Sequence, residues 1–189
     1  MSIGFASRMT PLVALTVAAA LLVAVSVDPH PGLVVPIVHA RALDGEELLI
    51  GAPPEGERQV LYFFTTTCPY CLESIGEIQR LAGAVAADPA SALYGVAMDT
   101  LPAVRSYVEE HQLGFPVVVA DRRTAALYRV RQVPQLTVVG NDGRISYTRQ
   151  GVLGDPAAVD SVLAALAAPE RAPETTADLP VSPQPSGGR

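Results

Sequence analysis

The chain has 189 residues, a formal net charge of -6 and a pI near 5.0. That length holds one domain with a proper core plus terminal extensions. The acidity, with no Lys/Arg cluster, argues against a nucleic-acid partner.

Met9–Val27 (MTPLVALTVAAALLVAVSV) carries no charge. Such a run is long enough to cross a hydrocarbon core of roughly 30 Å as a helix. Arg8 precedes it and Asp28 follows, so the positive-inside rule leaves the N-terminus cytoplasmic and all that follows Val27 outside. The alternative is a cleaved signal peptide, with Ala24 and Ser26 as the small-residue pair. The anchor reading gives a single-pass cell-membrane protein with a periplasmic domain; the signal reading gives a secreted one. Both export the domain, and disulfides form and persist outside the cytoplasm. Residues 1–31 are therefore assigned to an anchor or signal with a short linker.

Leu33–Ala42 reads as a strand, and Asp44-Gly45 signals a hairpin into Glu47–Ile50. Gln59–Thr65 (QVLYFFT) is an apolar run suited to a central strand buried on both faces. Beyond the cysteines, Leu72, Ile75, Ile78, Ala82 and Val85 recur at helical spacing until Asp88-Pro89. A strand at Ala92–Met98 leads to a helix over Leu101–His111, with Asp99 or Thr100 as its cap and Gly114 at its end. Phe115–Ala120 is a strand and Arg122–Arg129 a short helix. Gln135–Val139 and Ile145–Arg149 flank the turn Asn141-Asp142-Gly143, and Asp155-Pro156 opens a helix ending near Ala168. Helix-linked strands imply a parallel portion, and the late hairpin adds an antiparallel edge. Residues 32–168 thus form one α/β domain; the proline-rich tail 169–189 is expected to be disordered.

Cys68 and Cys71 are the only cysteines, spaced as CPYC. A structural zinc site usually needs four ligands, and His30, His39 and His111 have no ligand spacing. A structural clip closing so small a loop gains little chain entropy. Redox chemistry suits the placement better. Cys68 stands where a buried strand hands over to a helix, so first-turn N–H groups and the helix dipole favour its thiolate. Pro69 fits the first helical turn, where its missing N–H costs no hydrogen bond. Cys71, one turn on, is placed to attack a mixed disulfide at Cys68. Cys68 is therefore read as nucleophile and Cys71 as resolver, with the Cys68–Cys71 disulfide as the redox group and no other cofactor.

CPYC after YFFTTT, followed by RQVPQLTVVGNDGRI, resembles the thioredoxin fold. Within that fold, the segment from about Val34 to Ala168 is most similar to the membrane-anchored TlpA/ResA group of thiol-disulfide oxidoreductases. The resemblance implies an N-terminal β-hairpin, a β-α unit inserted between the two thioredoxin halves, and a central mixed sheet flanked by helices. It matches Pro134 to the cis-proline facing the CxxC, which would leave the Val133 backbone free to pair with a substrate strand. Pro69, Tyr70, Val133 and Pro134 are then supporting residues. It also implies a reductant of exported thiol proteins, such as apocytochrome c in cytochrome c maturation, recharged by a membrane thiol electron donor.

Several positions depart from the family. Thr67 stands where tryptophan usually precedes the first cysteine, and Ser74 where glutamate often follows the second. Tyr62 occupies the position of the buried aspartate of thioredoxins. Glu73 is the nearest acid, but a one-residue offset turns it about 100° around the helix axis. Thr65–Cys68 also contains the TxxC of peroxiredoxins, although Leu61 stands where their proline belongs. A peroxidase and a non-enzymatic binding module or chaperone are thus the rival readings. Pro-Tyr between the cysteines does not set the direction of transfer, since pairs of this fold span about -270 to -120 mV.

Overall fold

The computed structural model describes residues 31–168. The expected membrane or signal segment and the proline-rich tail lie outside the described residues. Among the described residues, no helix is long and apolar enough to cross a membrane.

The elements run β1 (Val38–Arg41), β2 (Glu47–Ile50), β3 (Arg58–Phe64), α1 (Pro69–Glu73), α2 (Ile75–Ala86), β4 (Ser91–Ala97), α3 (Leu101–His111), β5 (Val117–Val119), α4 (Arg122–Leu127), β6 (Gln135–Val139), β7 (Ile145–Gln150) and α5 (Pro156–Ala167). Strands β3 to β7 form one sheet in the order β5-β4-β3-β6-β7. The β3–β4–β5 part is parallel, whereas β6 and β7 join antiparallel, as helix-linked strands followed by a hairpin require. The architecture is thioredoxin-like, with a mixed sheet between two layers.

Alternation along β3 divides the interior. Val60, Tyr62 and Phe64 face a core closed by Ile78, Leu81 and Val85 of α2, by α3 and by α5. Leu61 and Phe63 face the opposite core, closed by Val35, Ile50, Val118 and Tyr128. A strand buried on both sides cannot show an apolar/polar alternation, which is why QVLYFFT reads as a continuous run. The buried Gln59 links the layers: its amide oxygen accepts from Gly51 N at 2.9 Å, and its amide nitrogen donates to Leu49 O at 2.8 Å.

Three expectations need correction. The strand foreseen over Leu33–Ala42 is confined to Val38–Arg41. Pro36 has no N–H for a ladder, and the residues before it pair instead with the β6–β7 hairpin, through Ile145 N to Leu33 O (2.8 Å) and Val35 N to Gly143 O (2.9 Å). The helix after the cysteines is broken at Ser74, whose hydroxyl donates to Tyr70 O at 2.7 Å and accepts from Leu153 N at 3.0 Å. Helix α3 ends on Gln112 in the left-handed region (φ 50), two residues before the expected Gly114.

The bend after β2 requires glycine. Gly51 has φ +84, and a Cβ there would stand 2.3 Å from the Tyr128 hydroxyl and 2.5 Å from Pro36 O. Those two groups are hydrogen-bonded to each other at 2.9 Å, so neither yields freely. Gly51→Ala should therefore cost about 2–4 kcal/mol through positive-φ strain and overlap. The test is the urea midpoint; an unchanged midpoint would refute this account of the bend.

Candidate active site

The site forms where three neighbouring strands of the sheet end or begin. The β3 backbone leaves the sheet at Phe64 and turns through Thr65–Thr67 to Cys68. Cys68 is the N-cap of α1, with extended backbone (φ -82, ψ 117), and Pro69 occupies the first turn. Its sulfur accepts from Cys71 N at 3.4 Å, so a first-turn N–H, which also donates to Cys68 O at 3.1 Å, points at the thiol. On its other side the Cys68 thiol donates to Val133 O at 3.6 Å. The Val133–Pro134 bond is cis, as the resemblance implied. Pro134 is buried, and its carbonyl accepts from Gly151 N at 2.9 Å at the end of β7.

The two sulfurs have unlike settings. Both are free thiols; Cys68 is half-buried, whereas Cys71 is 0% exposed. Burial pushes the Cys71 thiol from about 9 up to about 12, and hydrogen bonds from the Thr65 backbone and the Tyr62 side chain offset this only in part. At neutral pH Cys71 is a protonated thiol.

Beneath Cys71 lies Tyr62, 2% exposed and stacked on Phe64 with centroids 5.3 Å apart. Its hydroxyl is 3.5 Å from Cys71 O. Burial pushes the Tyr62 phenol well above its ordinary value, so it stays protonated.

Of the supporting residues, Val133 and Pro134 come together with Cys68, while Pro69 and Tyr70 are exposed beside it, Tyr70 at 58%. Glu73 does not join them. It is exposed on the outer side of α1, whereas Ser74, at the position where the family often has glutamate, is fully buried. The offset of one residue decides this, because it turns the carboxylate away from the sheet.

Sequence reasoning missed the role of Asp99. It is one of the two caps expected for α3; the other, Thr100, holds the N-cap position and makes no side-chain cap bond. Asp99 Oδ2 instead accepts from Thr66 N at 2.5 Å and from the Thr66 hydroxyl at 2.9 Å. It thereby clamps the turn that delivers Cys68. The parallel register contains the signal: Phe64 pairs with Ala97, so two residues further on Thr66 faces Asp99.

Comparison with known proteins agrees with this geometry. Residues 31–148 match the AhpC/TSA family. No curated protein matches in sequence. Among solved structures, StoA from Bacillus subtilis is similar at 20% identity, covering 70% of this chain and 97% of its own, with a TM-score of 0.59. A thioredoxin-family thiol:disulfide interchange protein from Chlorobium tepidum TLS is 20% identical, covering 74% and 99%, with a TM-score of 0.61. The thioredoxin domain of a thiol-disulfide oxidoreductase from Bacteroides vulgatus is 18% identical, covering 72% and 98%, with a TM-score of 0.62. These likenesses establish the thioredoxin-like fold.

The unlike settings predict unlike reactivity. At pH 7 a limiting amount of iodoacetamide should alkylate Cys68 and spare Cys71. Labelling of Cys71 in the folded protein should grow only as pH climbs towards about 12, where its thiolate forms. Peptide mapping reads both; equal labelling at pH 7 would overturn the distinction.

Proposed function

The chain belongs to the AhpC/TSA family, and on that footing we propose that it is an extracytoplasmic thiol-disulfide oxidoreductase that reduces disulfides in exported proteins. One observation carries the reading. The half-exposed Cys68 sulfur sits at a helix N-terminus, between the Cys71 N–H and the Val133 carbonyl, with a second, buried thiol one turn behind it. An anion at Cys68 is met by a backbone donor, and the sulfur is accessible to a partner. The rim of the site is apolar, with Tyr70 and Leu72 more than half exposed, which suits a protein target.

In the proposed cycle the Cys68 thiolate attacks one sulfur of a target disulfide. A Cys68–target bond forms, the target S–S bond breaks, and the departing target sulfur takes a proton. Cys71 then attacks Cys68, closing the Cys68–Cys71 disulfide and releasing the second target thiol. The target gains two electrons and the pair loses two, which a membrane thiol donor restores. Apocytochrome c before haem attachment is a target of the right kind. Export is supported by the uncharged Met9–Val27 run ahead of the domain.

Replacing Cys71 with serine should leave the attack intact and remove the release. Mixed disulfides at Cys68 should accumulate with exported proteins and disappear on treatment with dithiothreitol, whereas Cys68→Ser should trap nothing. Peroxide consumption at Cys68 without disulfide exchange would favour a peroxidase, and loss of both reactions would favour a binding module.

Direction needs its own measurement. A reductant requires a potential near the low end of the fold's range, roughly -270 to -220 mV. Equilibration of the soluble domain with glutathione or dithiothreitol gives it directly, and a value near about -120 mV would mark an oxidant instead.

A further inference from the structure

The chain between the sheet and Cys68 is held mainly from outside itself. Backbone pairing of β3 with β4 runs to Phe64 and Ala97, and Met98 N donates to Phe64 O at 3.1 Å. Two residues further on a side chain takes over: Asp99 Oδ2 accepts from Thr66 N at 2.5 Å and from the Thr66 hydroxyl at 2.9 Å. The bond internal to the turn, Cys68 N to Thr65 O, is long at 3.4 Å. The two contacts of the Cys68 sulfur, at 3.4 and 3.6 Å, are weak thiol bonds. The charge-assisted bonds from Asp99 are the firm ones in this stretch.

Cys68 stands half in the helix and half in that turn. Its carbonyl accepts from Cys71 N at 3.1 Å and from Leu72 N at 3.2 Å, so its C=O belongs to α1. Its backbone is extended (φ -82, ψ 117), so its N belongs to the turn. Rotation about the Cα–C bond of a residue swings its N and its Cβ together. Whatever fixes Cys68 N therefore fixes the direction of its sulfur relative to α1. Cys71 is carried by α1 one turn further on, so the same hold fixes how the two sulfurs face each other.

Building on the reading of Cys68 and Cys71 as an exchanging pair, we propose that Asp99 is a positioning residue for the resolving step: by gripping Thr66 it directs the Cys68 sulfur so that a partner bonded there leaves in line with the attack of Cys71. In that step the Cys71–Cys68 S–S bond forms and the Cys68–partner bond breaks. The partner sulfur leaves with the electron pair, and the Cys71 proton passes to it through solvent. Asp99 acts through Thr66 and neither gains nor loses a proton. An intramolecular attack is fast only while the reacting atoms are aligned, so a loosened turn slows this step first. A single carboxylate oxygen takes both bonds, and an amide oxygen can stand in the same place. Position 99 therefore needs the acceptor and not the charge.

One assay separates alignment from reactivity. Reduced protein mixed with 5,5′-dithiobis(2-nitrobenzoate) should release a first thionitrobenzoate as Cys68 attacks the reagent and a second as Cys71 resolves the adduct. In Asp99→Ala, at a temperature where it is fully folded, the first phase should stay within about twofold of wild type and the second should slow about tenfold. Asp99→Asn loses the same charge but keeps an acceptor, and its second phase should stay within about threefold of wild type. Thr66→Val removes one of the two bonds and should slow the second phase about threefold. Added to Asp99→Ala it should slow nothing further, because the partner of the hydroxyl has already gone. Unchanged second phases in Asp99→Ala and Thr66→Val would overturn the role of Asp99 while leaving the redox reading in place. Equal slowing of both phases with a lowered melting temperature would reduce the clamp to packing, and Asp99→Asn as slow as Asp99→Ala would assign the effect to charge; either result overturns the proposal. If Asp99→Ala does not fold, Thr66→Val and Asp99→Asn decide by the same criteria. Absence of a second phase in wild type would remove Cys71 as resolver, and the redox reading itself would fail together with the proposal.

Discussion

Strand β3 has to be buried on both faces and hydrogen-bonded on both edges, and the site follows from that constraint. Its faces are filled by two separate cores, and its edges by β4 in parallel and β6 in antiparallel register. A strand held on four sides has a fixed end. The turn from Thr65 to Cys68 therefore starts from a defined point, and each neighbour supplies one part of the site where it meets that end. The end of β4 leads to Asp99, which grips Thr66, and the approach to β6 supplies Val133 and Pro134 beside Cys68.

Two thiols three residues apart are thereby given opposite surroundings by a single turn of helix. Cys68 caps the helix and meets backbone polar groups; Cys71 points into the apolar interior and meets an aromatic ring with one hydroxyl. A low-dielectric setting opposes the charged form of the second sulfur but costs the neutral disulfide nothing. The interior therefore acts on the ionisation of Cys71 and leaves a disulfide, which carries no charge, untouched. Beneath that sulfur lies Tyr62, and there this chain departs from the buried aspartate its resemblance leads one to expect.

Much of this was legible in the residues, and the failures share a cause. The central strand, the helix after the cysteines and the late hairpin are carried by patterns local to a few residues, and the pairing of CPYC with Val-Pro, 65 residues apart, by the family resemblance. The mixed sheet followed from the order of the elements. Asp99 stood beside Thr100 as a candidate cap because a strand end followed by a helix start makes any acid look like one, while its partner lies 33 residues away. The break at Ser74 was invisible for a similar reason: the apolar spacing continues across it, and the competing bond comes from Leu153 N, 79 residues distant. Gln112 escaped notice because a left-handed cap usually announces itself as glycine. Glu73 was the nearest acid in sequence, and helical geometry turned it outward.

The first and last described residues lie close together and far from the sulfurs. Pro31, Gly32, Arg58 and Ala168 line one cavity; the Arg58 guanidinium donates to Ala168 O, and Arg144 donates to Gly32 O at 2.8 Å. Arg58 begins β3 and Cys68 follows its other end, so the seven residues of the strand separate the two poles by roughly 20 Å. Attachment at either boundary, to a bead, an electrode or a fused protein, leaves the CPYC rim facing outward. The two thiols thus stand at one pole of the domain and the first and last described residues at the other.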